Sequence, residues 1–181
     1  MTRSERIKLL KKEAESRILV LDGAMGTMIQ QRELTEVEFR GDRFKENSRE
    51  IKGNNDIISL SQPGLLREIH ALYFRAGADI GKTNTFNANA ISQGDYDMVE
   101  LVPELNHSAA TIARDAAIAA ESEDGRPRFV AGVLGPTNAT ASMSPDVTDP
   151  GFRSVTFDDL REAYRVQARA LVSGGVDILL I

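Results

Sequence analysis

Three short polar clusters in this 181-residue chain each follow an apolar run, and they hold the residue types that a small-molecule site needs. Asp22-Gly23-Ala24-Met25-Gly26-Thr27 follows Ile18–Leu21. Lys82-Thr83-Asn84-Thr85-Phe86-Asn87 follows Ala78–Gly81, and Gly135-Pro136-Thr137-Asn138 follows Phe129–Leu134. Small residues let a ligand come close to the backbone. A carboxylate can take an ammonium group, while hydroxyls and free N–H groups can take a carboxylate. The composition therefore suits a small zwitterion held by Asp22, Gly23, Ala24, Met25, Thr83, Thr85, Gly135 and Asn138. Each cluster also has a plainer reading: Asp-Gly as a turn, Thr83–Asn87 as a helix start, Gly-Pro as a way out of a strand. Their shared place at strand ends favours one site.

The elements that must position these clusters are legible in the apolar pattern. The three runs above and a fourth, Val176–Ile181, are short and almost unbroken, as expected for strands of a parallel sheet covered on both faces. Between them lie helical patterns. Leu65, Leu66, Ile69, Leu72, Tyr73 and Ala76 form one stripe, with Pro63 in the first turn and Gly77 at the end. Pro103–Ala120 reads as an alanine-rich helix. Another helix begins at Thr156, where Thr156 and Asp159 have capping-box spacing.

Two segments are near-copies: Ala76-Gly77-Ala78-Asp79-Ile80 and Gly174-Gly175-Val176-Asp177-Ile178. Each sits where a helix gives way to a strand, which points to repeated βα units. Doubly wound sheets and barrels both fit this alternation, but no Gly-x-Gly-x-x-Gly follows the first strand, so a barrel is favoured. A full barrel takes eight such units and about 250 residues. The expected fold class is α/β: the N-terminal half of a (β/α)8 TIM barrel, with about four parallel strands alternating with helices, residues 1–181 forming one partial domain.

Composition removes several function classes. The net charge is −5 and no Lys/Arg-dense stripe occurs, so nucleic acid is not an expected partner. Arg3 to Lys12 alternate with Glu5, Glu13 and Glu15, the pattern of a solvated helix face. With no cysteine, a disulfide framework and a Cys-ligated metal within the chain are both ruled out. No apolar run reaches membrane-spanning length, and the charged N-terminus is unlike a signal peptide, so the expected setting is cytoplasmic. His70 and His107 have no partner at metal-ligand spacing and read as structural or surface residues. Ser61 and Ser144 lack a nucleophile-elbow context.

At the three clusters the chain resembles the homocysteine-binding domain of the cobalamin-dependent methionine synthases, within the wider homocysteine methyltransferase group. The matching segments are residues 18–30, 39–44 (FRGDRF), 52–56 (KGNND), 76–79, 83–91 (TNTFNANAI) and 130–157. The resemblance implies a homocysteine thiol bound to a zinc ion held by three cysteines of later strands, which takes a methyl group from methylcobalamin to give methionine. A separate domain recharges the cobalamin from 5-methyltetrahydrofolate. It further implies that Asp22, Gly23 and Ala24 hold the amino-acid end of homocysteine, with Thr83, Thr85 and Gly135–Asn138 lining the same mouth. Two departures stand out. The chain has no zinc cysteine and ends one residue before the family's substrate-binding glutamate, so the isolated chain is expected to be inactive. Lys82 also stands where the family usually has glutamate, reversing a charge at the mouth. Betaine or S-methylmethionine as donor, and a non-catalytic regulatory or interaction fragment, are the alternatives carried forward.

Overall fold

The computed structural model describes residues 1–181. In chain order the helices are α1 (Arg3–Ser16), α2 (Met25–Gln30), α3 (Glu36–Arg40), α4 (Ile58–Ser61), α5 (Pro63–Arg75), α6 (Ala90–Gln93), α7 (Val102–Asp124) and α8 (Phe157–Ser173). Three strands, β1 (Ile80–Lys82), β2 (Phe129–Val133) and β3 (Ile178–Leu180), form a parallel sheet in sequence order. Ile80 pairs with Phe129 and Lys82 with Ala131, while Ala131 pairs with Ile178 and Val133 with Leu180. No helix is long and apolar enough to cross a membrane.

The alternating strands and helices match the pattern in the sequence, with three differences. The first apolar run is not a full strand: only Leu21 bridges to Ile80, and Ile18 and Val20 are 89% and 52% exposed. With these side chains open to solvent, the expectation of cover on both faces fails there. Strands β1 and β3 start two residues later than their apolar runs, because Ala78, Asp79, Val176 and Asp177 are spent on the turn out of the helix. Helix α7 runs on to Asp124, where Gly125 in a left-handed conformation ends it.

The near-copied segments do the same job twice. Gly77 (φ 105°) and Gly175 (φ 96°) end α5 and α8 in a region that L side chains rarely adopt, and the next N–H bonds back to the carbonyls of Tyr73 and Leu171. The aspartate that follows clamps one residue of the preceding strand at two points. Asp79 N–H donates to the Val20 carbonyl (2.8 Å), while its Oδ2 accepts the Val20 N–H (2.9 Å). Asp177 repeats this on Val130, at 2.9 and 2.8 Å. Arginines neutralise both carboxylates. Arg17 (2.9 Å) and Arg126 (3.4 Å) reach Asp79, and Arg6 (3.0 Å) and Arg114 (2.6 Å) reach Asp177. The solvated-face reading of the first helix is thus wrong for Arg6, which is buried and also bonds the Arg128 carbonyl.

Above these clamps the core fills in two parts. Leu66 and Ile69 of α5 meet Leu105 and Ile112 of α7 together with Ile51, Ile57 and Ile58. Phe74, Ala110, Ala113 and Ala117 meet Val130, Leu171 and Val176 under the sheet. The alanines of α7 let α5 and α8 pack closely on either side, and each buried aliphatic or phenyl side chain contributes about 1.5–3 kcal/mol. His70 lies in this core and stacks on Phe74; burial pushes its pKa down to about 4. It is a core residue with no route to a ligand. His107 is exposed, with its Nδ1 3.1 Å from the Ser173 hydroxyl.

The Asp177 clamp gives a direct prediction. Asp177→Ala removes the one buried carboxylate shared by Arg6, Arg114 and the Val130 N–H, a change that typically costs about 3–5 kcal/mol. Urea unfolding of the two proteins should show a loss of that order; a loss under 1 kcal/mol would mean that the clamp is incidental.

Candidate functional site

The carboxyl ends of the strands open onto one cavity of about 530 Å³. Among the residues expected from the sequence, Ala24, Met25, Thr83, Thr85 and Gly135 line it, brought together from the segment after the Leu21 bridge and from the ends of β1 and β2. Leu180 of β3 and Ile181 after it also line it. Gly135 is needed for this closeness: a Cβ there would overlap the Phe86 carbonyl oxygen and ring. The Tyr164 hydroxyl of α8 donates to the Gly135 carbonyl (3.0 Å) and holds the turn in place.

The threonines are mostly occupied by the fold itself. Thr85 Oγ1 donates to the Val133 carbonyl (2.8 Å), and Val133 N–H donates to Thr83 Oγ1 (3.0 Å). Each hydroxyl has a single proton, so the 2.7 Å contact between them has Thr83 as donor and Thr85 as acceptor. Gln167 of α8 adds a bond to the Thr85 carbonyl (2.8 Å). The hydroxyls thus continue the β1–β2 ladder past its last residue, and their role is to shape the wall.

Asp22, Gly23 and Asn138 are adjacent to the cavity without lining it. Asp22 is buried, and its Oδ2 accepts the Lys82 N–H (2.9 Å). The Lys82 ammonium donates to the Asp22 carbonyl oxygen (3.1 Å) and lies 3.5 Å from Oδ1, which makes no hydrogen bond. Burial raises the Asp22 pKa above the ordinary carboxylate value, against the opposing pull of Lys82. Lys82 therefore turns back to pair with the aspartate, and also lines the cavity. Gly23 packs on the Tyr73 ring, whose hydroxyl donates to the Ala24 carbonyl (3.1 Å). Asn138 binds Asp95 (2.6 Å) and Ser92 (3.4 Å) in the wall of a smaller cavity of about 120 Å³.

Sequence reasoning assigned no role to the turn that joins these two cavities, Asn54-Asn55-Asp56. Asn54 exchanges amide hydrogen bonds with Gln93 (2.8 and 3.2 Å), and the Asn55 carbonyl accepts from Asn84 (2.6 Å). Asp56 is 4% exposed and lies in the walls of both cavities. It accepts the Asn87 N–H (3.2 Å) and has no cationic partner. Burial pushes its pKa up to about 7. The run of three polar residues before an apolar helix was the available signal, but no strand end marked it as part of a site.

A parallel three-stranded sheet flanked by helices, its polar carboxyl ends sharing one cavity, defines an α/β fold. The model of one family, homocysteine S-methyltransferase, matches residues 19–181, and the chain belongs to that family. The fold is similar to solved structures of the homocysteine methyltransferase MmuM from Escherichia coli. The metallated form matches with a TM-score of 0.70 at 23% identity, over 94% of this chain and 55% of that one. The oxidized form matches with a TM-score of 0.66 at 24% identity, over 90% and 51%. The chain thus spans about half the length of these structures.

Asp56 carries a stability prediction. Below about pH 4 its carboxyl is protonated in the folded and unfolded chain alike. As pH rises towards 7 the unfolded chain ionises first, so folding stability is lost over that window. Asp56→Asn should therefore raise the unfolding free energy at pH 8 by up to about 4 kcal/mol, and the gain should vanish near pH 4. Denaturant unfolding at the two pH values checks this; a variant less stable than the parent at pH 8 contradicts it.

Proposed function

We propose that this chain is the amino-acid-gripping part of a homocysteine S-methyltransferase, built as half of a (β/α)8 barrel, in a cytoplasmic enzyme that makes methionine. The observation that carries this reading is the single cavity into which Ala24, after the Leu21 bridge, and Thr85 and Gly135, after β1 and β2, converge. Its size suits an amino acid, and its wall combines charge at Lys82 and Asp56 with small and apolar residues. Gly135 and the threonine ladder fix the shape of the wall, and Asp22 fixes Lys82.

The finer reading is a cobalamin-dependent methionine synthase, recharged by 5-methyltetrahydrofolate through other domains. It rests on the resemblance of the Gly53–Asp56 segment and the Gly135–Arg153 loop to that enzyme, and these segments supply Asn55, Asp56 and Gly135 to the cavity; betaine and S-methylmethionine donors are the alternatives. The residues present do not fit a zinc site. The chain contains no cysteine, and no three His, Cys, Asp or Glu side chains are grouped to hold a metal. In this reading thiol activation falls to residues beyond these 181, and the chain alone transfers no methyl group.

Calorimetric titration with L-homocysteine tests the assignment. The chain should give saturable heat, and Gly135→Val, which fills the mouth, should weaken binding at least tenfold. Equal affinities, or no saturable heat with the parent, would count against it.

A further inference from the structure

We propose that the outer faces of α5 and α7 form a docking surface for a second copy of this chain, joined in a two-fold dimer. The surface shares no residue with the ligand cavity, so the proposal is independent of the homocysteine reading.

A groove of about 340 Å³ runs between the two helices on their exposed side. Small residues such as Ala71 and Ala119 line it, so another pair of helices could approach closely. Its two rims carry opposite charges. Arg67 and Arg75 stand on the α5 rim, and Asp115 and Glu123 on the α7 rim, all of them exposed. None of these side chains has an ion-pair partner within the chain. They differ in this from Arg161 and Arg165 of α8, which Asp158 and Glu162 answer locally. The other charge on the α5 rim, Glu68, is already held by Arg32 (2.6 Å). Both rims space their free charges eight residues apart, about 12 Å along a helix.

Both helices lead into strands of one parallel sheet, so they run in the same direction. A two-fold axis along the groove keeps that direction and exchanges the rims. Helix α5 of each copy then lies over α7 of the other, and an arginine rim meets an acidic rim twice. An axis across the groove would set α5 on α5 and α7 on α7, with like charges facing. The charge pattern therefore selects one closed, isologous arrangement. An unrelated partner would have to supply both signs at the same spacing, whereas a second copy supplies them by symmetry.

Analytical ultracentrifugation of the intact chain at low salt tests this with two charge-reversed variants. One carries Arg67→Glu and Arg75→Glu, the other Asp115→Lys and Glu123→Lys. The parent should dimerise, and its association should weaken as salt is added. Each variant alone sets like charges on facing rims and should self-associate more weakly by about tenfold or more. An equimolar mixture of the two should recover association near the parent's level, which also shows that both variants are folded. A parent that stays monomeric at millimolar concentration, variants that self-associate as the parent does, or a mixture no tighter than its components overturns the proposal.

Discussion

The structure depends on a carboxylate that replaces a missing strand partner at the start of each βα repeat. At Asp79 and Asp177 the chain has just left a helix through a left-handed glycine, and the strand has not yet begun to pair. The side chain and backbone of the aspartate then hold one residue of the preceding strand from both sides, Val20 or Val130. The same device acts twice, and it fixes a staggered register: β1 pairs with Phe129–Ala131 and β3 with Ala131–Val133, so β3 lies two residues further along the sheet than β1.

The clamp needs buried carboxylates, and these need cations. The arginines come from every direction: Arg6 and Arg17 from α1 and its end, Arg114 from α7, Arg126 from the segment before β2. That explains why a helix with little apolar character is held against the base of the sheet. The opposite end of the sheet works differently. There Asp22 pairs with Lys82, whereas Asp56 has no cation. One end of the sheet is electrostatically closed, and the other has a buried carboxyl with no cation beside a cavity, a division expected when stability and binding are assigned to opposite ends of strands.

The sequence made the repeat visible, and with it the strand order, because a glycine and an aspartate at a helix end leave a mark that does not depend on tertiary contacts. Helices α5 and α8 were equally plain from Pro63, Gly77 and the Thr156–Asp159 box. The site was half legible. Gly135, Ala24 and Thr85 could be placed by strand-end position alone. Whether Asp22 faces the cavity depends on where the Lys82 side chain goes, and that is settled by burial and not by spacing. Asp56 stayed hidden for a similar reason: it comes from a turn remote from any strand end, held at the mouth by the bond from Asn84 to the Asn55 carbonyl and the bond from the Asn87 N–H to Asp56. The first apolar run misled, since its composition fits a covered strand while Ile18 and Val20 stand open to solvent.

The central claim is that the strand tips form one ligand-binding rim. Amide chemical-shift mapping with L-homocysteine on isotope-labelled protein tests it most directly. The largest changes should fall together on Met25, Asn87, Val133 and Gly135, with little change at the base around Asp79 and Asp177. Changes confined to a single strand end, or concentrated on the outer faces of α5 and α7, would contradict it.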